Sequence, residues 1–295
     1  MKKIIQISLV AIFILSALTP IFSREHTPLK AKKQPLVVFV CGDHEYSGES
    51  TLPLLAAVLE KQYGFRTKVL KSFPDQNAEK DIPGLEALAE ADLVVFFLRW
   101  RLLPADQVAH IEAYLKSGKP IMGFRTTTHS FNYPKTDPLF PYNGFAERAF
   151  GAPPGWGGPS KHTHYGHNAS TDATVIPEKS KHPILTGVNP EFHVRSWLYR
   201  VLPDYPVKGT EWLIMGKAVN ADKTAEIQPI AWTWENQYKG KVFFTTMGHP
   251  EDFSVESFQR LVVNAIHWEL GLKVPKKWSG KLDINVPYRG MVNSK

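Results

Sequence analysis

Histidine stands just beyond three separate apolar runs of this chain. Leu36 to Cys41 leads into Gly42-Asp43-His44-Glu45-Tyr46, and Ile121 to Phe124 leads into Arg125-Thr126-Thr127-Thr128-His129. Val242 to Phe244 leads, past Gly248, into His249-Pro250-Glu251-Asp252. Imidazoles move protons near neutral pH, and a guanidinium polarises an oxygen. His44, Arg125, His129 and His249 are therefore the expected catalytic groups. Asp43, Glu45, Tyr46, Thr126 and Glu251 are expected to contact substrate, together with Arg99, Trp100 and Arg101 at the end of the run Asp92 to Leu98. His164 and Tyr165 join them from a His-rich stretch.

Each of these residues also has a purely structural reading. The carboxylates of Asp43 and Glu45 are expected to push the pKa of His44 upward, but the same segment would also cap a helix starting near Ser50 or Thr51. Threonine hydroxyls after a strand more often satisfy backbone groups than attack a substrate, and a threonine is a poor nucleophile without a base beside it. Arg125 needs an anionic or carbonyl partner if buried, and Glu251, Asp252 and a substrate are the candidates. Trp100 suits a sugar face and also suits packing beneath a helix. Asp252 favours the positive start of the last helix without any catalytic role. His162, His164 and His167 match no specific zinc spacing, so no metal and no other cofactor is expected.

The elements that must position these groups alternate strand and helix. Strands are predicted over Leu36–Cys41, Arg66–Leu70, Asp92–Leu98 and Ile121–Phe124, and helices over Thr51–Tyr63, Gly84–Ala89 and Pro104–Ser117. Continuous branched and aromatic runs suit strands buried on both faces, and the alternation is that of βαβ units in a parallel sheet. Ligands of such sheets bind beyond the carboxyl ends of the strands, so the three histidine segments converge if their strands are neighbours. Residues Ser130 to Ser170, rich in Pro, Gly, aromatics and His, read as a functional loop or lid. Strand-like pieces follow near Ala173–Ile176, Trp197–Leu202, Trp212–Ala218, Pro229–Glu235 and Lys241–Phe244, then a helix over about Val255–Leu270.

Lys2 and Lys3, the apolar stretch Ile4 to Leu18 and the exit Thr19 to Ser23 read as a secretory signal cut after Ser23. Export to the periplasm or beyond is the expectation, with no membrane association after cleavage. The organisation expected is a signal over residues 1–23, a linker over 24–34, a domain over 35–272 and a surface tail over 273–295. The formal net charge of +7 falls by two to +5 without Lys2 and Lys3, and no basic run or zinc-finger pattern points to nucleic acid. Cys41 is the single cysteine, so the chain holds no internal disulfide.

Several of these segments together resemble the ThuA-like, or trehalose-utilisation, family. They are Val37 to Glu45, Tyr114 to Pro120 leading into Arg125 to His129, His182-Pro183-Ile184, Pro229 to Thr233, Gly240 to Phe244 through Gly248-His249, and Asn264 to Trp268. The resemblance implies a three-layer α/β sandwich with a mostly parallel central sheet, like the class I glutamine amidotransferases and flavodoxin. It also implies a role in carbohydrate metabolism, on disaccharides or their 3-keto derivatives. Many relatives carry Gly-x-His where this chain has Gly123-Phe124-Arg125, and Glu-Leu-Tyr where it has Trp197-Leu198-Tyr199. No cysteine occupies the elbow after Phe124, which excludes a Cys-dependent glutaminase. The expectation is a hydrolase, lyase or isomerase on a small-molecule sugar. The competing readings are a noncatalytic sugar-binding or scaffold domain, using Trp100, Trp156 and Tyr165, and a metal-dependent hydrolase.

Overall fold

Apolar runs that offer no polar face fold where both faces are covered, and four runs of this chain do so as parallel strands. The computed structural model describes residues 34–157, 162–278 and 280–290; the signal expected over residues 1–23 lies outside the described residues. The elements begin with β1 (Leu36–Gly42), α1 (Gly48–Tyr63), β2 (Arg66–Lys71), β3 (Leu93–Leu98), α2 (Ala105–Lys116), β4 (Ile121–Phe124) and α3 (Phe145–Phe150). They continue with β5 (Thr163–His164), β6 (Ser170–Val175), β7 (Glu191–Val194), β8 (Tyr199–Arg200), β9 (Glu211–Val219), β10 (Gln228–Glu235), β11 (Lys241–Thr245) and α4 (Glu256–Glu269).

Among the described residues one nine-stranded sheet runs β2-β1-β3-β4-β11-β10-β9-β6-β7, and β5 pairs with β8 apart from it. β2, β1, β3, β4 and β11 are parallel to one another. β10, β9, β6 and β7 continue the sheet antiparallel. Side chains alternate across each strand, so Val37, Phe39 and Cys41 face α1 and α4, while Val38 and Val40 face α2 and α3. This is the three-layer α/β sandwich that the resemblance implies, with the βαβ units that the strand and helix alternation predicts. Leu52, Leu55 and Leu59 of α1 are buried against it, each contributing about 1.5–3 kcal/mol. Gly64, at φ 69°, ends α1 by donating its N–H to Glu60 O, a left-handed stop that glycine takes without strain.

Three segments depart from the sequence reading for identifiable reasons. Residues Leu85–Glu90 form a 3-10 turn instead of an α-helix, entered from Gly84 at φ 89°. The strand expected over Trp197–Leu202 shrinks to β8, because the N–H groups of Val201 and Leu202 donate to Gln228 Oε1 rather than to a neighbouring strand. The segment after Ser130 contains α3 and β5 as well as loop. Beyond α4, Leu282, Ile284 and Val286 are buried at alternate positions. Gln259 pins that stretch by accepting from Leu282 N and donating to Leu282 O, both at 2.8 Å. Among the described residues no helix is long and apolar enough to cross a membrane.

Glu269, at the end of α4, is buried, and burial raises its pKa well above the usual carboxylate range. The folded chain holds this proton after the unfolded chain releases its own near pH 4.3. The unfolded state then binds fewer protons, so this group costs stability progressively as pH rises from about 4. Glu269→Gln is expected to raise the melting temperature at pH 8 and to leave it unchanged at pH 4, as followed by thermal unfolding at the two pH values. A variant equally altered at both would show that Glu269 does not titrate this way.

Candidate functional site

β1, β3, β4 and β11 are consecutive and parallel, so the segments after their carboxyl ends meet along one edge of the sheet. Arg99 Nε ion-pairs with Glu45 Oε2 at 2.8 Å, both side chains being buried, and its guanidinium lies 3.5 Å from the ring centroid of Trp100. Trp100 takes a left-handed backbone at φ 51°, strain of a kind that gathers at ligand sites. Arg101 donates to Arg99 O, Ser72 Oγ and Ala78 O. The absence of a side chain on Gly42 admits this arginine, since a Cβ there would sit 2.9 Å from Arg101 Cδ.

His44 lies between the two guanidinium groups, with Arg99 Nη1 at 2.5 Å from Nε2 and Arg101 Nη2 against Nδ1. The expectation that carboxylates raise its pKa is overturned. Burial, then Arg101 and Arg99, push it down to about 3. Asp43 turns instead to the backbone, accepting from Tyr46 N at 2.7 Å, Glu45 N at 3.2 Å and Gly48 N at 3.4 Å. It thereby shapes the entry to α1, and burial together with Glu45 raises its pKa to about 6.

Arg125 occupies the elbow after β4 at φ 38° and is fully buried. It hydrogen-bonds to neither Glu251 nor Asp252, although the Asp252 charge lies close enough to favour its cation. Nη1 donates to Trp197 O at 3.1 Å and Thr246 O at 2.9 Å, and Nη2 to Tyr46 OH at 3.0 Å. The rings of Tyr46 and Tyr199 stand 4.4 Å from the guanidinium carbon, so cation–π attraction supports the charge where no carboxylate hydrogen-bonds to it. Asp252 accepts from Ser196 Oγ, Ser196 N, Gly248 N and His249 N, tying the β11 turn to the segment before β8.

The threonines differ in use. Thr126 Oγ1 donates to Asp43 Oδ1 at 3.3 Å, and Thr127 Oγ1 donates to Phe96 O at 3.1 Å while accepting from Leu98 N. Thr128 Oγ1 touches His129 Nδ1 at 2.8 Å and His162 Nε2 at 3.0 Å. His249 accepts from Glu251 N through Nδ1 at 3.2 Å, its ring lies 4.5 Å from that of Tyr288, and burial and Arg125 lower its pKa to about 3.

Two cavities adjoin the histidines and aromatic rings, and a third of about 160 Å³ lies beside Asp43, lined also by Cys41, Glu49 and Lys71. Of the first two, the smaller, of about 210 Å³, is lined by Glu45, Tyr46, Arg99 and His164, among others, and the larger, of about 710 Å³, by Phe131, Asn132, Phe140 and Tyr205. Trp100, His129 and Trp156 line both. Of the residues singled out in the sequence, Glu45, Tyr46, Arg99, Trp100, His129 and His164 reach a cavity. His44, Arg101, Arg125, Thr126 and His249 form the layer behind those two, and Asp43 reaches only the third. Tyr165 is directed elsewhere, its hydroxyl accepting from Gln228 Nε2 at 3.1 Å, and Glu251 is exposed. Trp197, Tyr199 and His167 also line the cavity of about 210 Å³, and His162 and Thr128 lie behind His129; the sequence offered His162 and His167 only as metal-ligand candidates and Trp197-Leu198-Tyr199 only as a strand start and a departure from relatives, without placing any of them at the site. His164 and His167 pack edge to face, centroids 4.3 Å apart. Among the described residues no three His, Cys, Asp or Glu side chains converge as a metal site.

Known structures share this frame. A ThuA-like protein of Parabacteroides merdae ATCC 43184 superposes with a TM-score of 0.61 at 15% identity, covering 87% of this chain and 98% of its own. A ThuA-like protein of Bacteroides uniformis ATCC 8492 gives 0.52 at 17% identity, covering 82% and 94%. The glutaminase domain of Trypanosoma brucei CTPS gives 0.49 at 14% identity, covering 84% and 99%. No curated protein sequence matches the chain. The ThuA family model, described as trehalose utilisation, matches residues 37–269. That span runs from β1 to the last residue of α4 and takes in the strand ends that carry the site, and on it the chain belongs to the ThuA family.

Proposed function

We propose that this chain is an exported protein that acts on a disaccharide or a keto-sugar in trehalose-related metabolism, at the carboxyl ends of the parallel strands. The observation that supports this most is the pair of cavities sharing Trp100, His129 and Trp156. Aromatic walls with a few convergent polar groups suit the apolar faces and hydroxyl edges of sugar rings. The larger cavity falls within the range of about 300–1,000 Å³ usual for small-molecule sites, and the smaller serves as its polar alcove.

The chemistry that suits this lining is proton transfer by imidazole. Common glycosidases use two carboxyl groups facing one bond. The alcove supplies Glu45, already ion-paired to Arg99. The imidazoles of His129 and His164 are held neutral by burial, His164 at about 4, and so present lone pairs to a hydroxyl or to a carbon acid beside a ketone. Incubation of the purified protein with a panel of disaccharides and their 3-keto derivatives, followed by NMR, tests the reading. A new product supports it; shifted ligand signals without product would favour the noncatalytic binding domain.

Trp156 is 36% exposed at the seam of the cavities. Trp156→Ala is expected to weaken saccharide binding by about tenfold, the loss of one ring contact of roughly 1.4 kcal/mol, as read by calorimetric titration. Unchanged affinity would move the sugar away from this wall.

A further inference from the structure

Thr128 hydrogen-bonds to two histidines, and only one arrangement of hydrogens satisfies all three groups. His162 Nδ1 lies 3.1 Å from Arg200 O, and a carbonyl oxygen only accepts, so Nδ1 carries the proton. Both imidazoles are buried, and the positive charge of Arg125 acts on both, with that of Arg99 also acting on His129, so each ring is held neutral. A neutral ring has one N–H, which leaves His162 Nε2 as a lone pair, and the contact to Thr128 at 3.0 Å must use the hydroxyl hydrogen. Having spent its hydrogen there, Thr128 can only accept from His129 Nδ1, 2.8 Å away. His129 Nε2 is consequently a lone pair. His129 lines both cavities.

We propose that the chain Arg200 carbonyl, His162, Thr128 fixes His129 as an Nε2 acceptor at the seam of the two cavities, where it receives a hydroxyl of the bound saccharide and takes its proton. In that step the sugar O–H bond breaks and an Nε2–H bond forms. The electron pair stays on the sugar oxygen, and the positive charge resides on the imidazolium, whose Nδ1–H continues to donate to Thr128. Nothing is oxidised or reduced. Thr128 and His162 are positioning residues that touch no substrate; they select the tautomer. The saccharide part rests on the function proposed above, whereas the tautomer does not.

The test is nitrogen NMR of the full chain labelled with ¹⁵N-histidine, the His129 signals being identified by their loss in His129→Gln. The wild type is expected to show His129 with a protonated Nδ1 and a bare Nε2. Thr128→Val is expected to shift the tautomer ratio at least tenfold toward Nε2–H, and Thr128→Ser to restore it. A wild-type spectrum with Nε2 protonated would overturn the proposal even if Thr128→Val does not fold, and so would an unaltered ratio in a folded Thr128→Val. Trehalose titration separates the two claims. Affinity about tenfold weaker in Thr128→Val and within twofold of wild type in Thr128→Ser supports the acceptor role, and equal affinity in the valine variant refutes it. No trehalose response in any form counts against the saccharide reading, while the wild-type spectrum still decides the tautomer.

Discussion

Arg125→Ala is expected to lower the unfolding free energy by about 3–5 kcal/mol, the range typical of breaking a buried charged network. The guanidinium satisfies the carbonyls of Trp197 and Thr246 and the Tyr46 hydroxyl, which approach it from three different stretches of chain. Its removal leaves those groups without a donor in a place that water does not reach, where each unsatisfied group costs about 1–3 kcal/mol. A domain of this size shifts its melting temperature by roughly 2–4 °C per kcal/mol, so a fall on the order of 10 °C should accompany the loss. Arg125→Lys keeps the charge but not the planar fork, and should recover only part of it. Urea unfolding of the three proteins would check this, and a loss under about 1 kcal/mol would show that solvent fills the place of the side chain.

His129→Gln is the substitution with the largest expected effect on turnover, a fall of about 10²–10⁴-fold, the usual contribution of a positioned general base. His249 offers the contrast. Its Nδ1 accepts from Glu251 N at the start of the turn Pro250–Ser254, and its ring lies against Tyr288. His249→Gln should therefore leave turnover within a few-fold and cost about 1 kcal/mol of stability, as the loss of a cap does. Product formation on the substrate found by the NMR panel, with thermal unfolding of both variants, measures the pair. The opposite pattern, with His249 essential and His129 dispensable, would reassign the base.

The sequence made the parallel half of the fold legible because each of β1, β3, β4 and β11 is a nearly unbroken apolar run, and a strand buried on both faces can be little else. Their adjacency brought the histidine segments to one edge, as the strand-end argument requires. The electrostatics around His44 were not legible. Asp43 and Glu45 are its neighbours along the chain, but one turns to backbone amides and the other to Arg99. The groups that meet His44 in space are Arg99 and Arg101, which follow β3 on either side of the left-handed Trp100, a turn the sequence does not announce. His129 was visible as a strand-end residue. Its tautomer was not, because that depends on His162 in a loop with no periodicity and on a carbonyl of β8. Arg125 posed the reverse problem: the residue type demanded a partner, and acids nearby in the sequence were natural candidates, whereas two carbonyls and an aromatic enclosure met the need instead.

Tyr288 closes the back of this arrangement. It stacks on Tyr46 with centroids 5.9 Å apart and reaches His249, carried there by the stretch that Gln259 anchors. The order of synthesis gives that placement a meaning. The sheet, α4 and every side chain lining the two cavities leave the ribosome before Tyr288 does, so a chain halted after residue 272 would lack one wall behind its histidines, along with the buried Leu282, Ile284 and Val286. Completion of the site thereby waits on residues made after the sandwich itself, and cleavage between α4 and Leu282 would remove the support beneath Tyr46 together with a strip of the core.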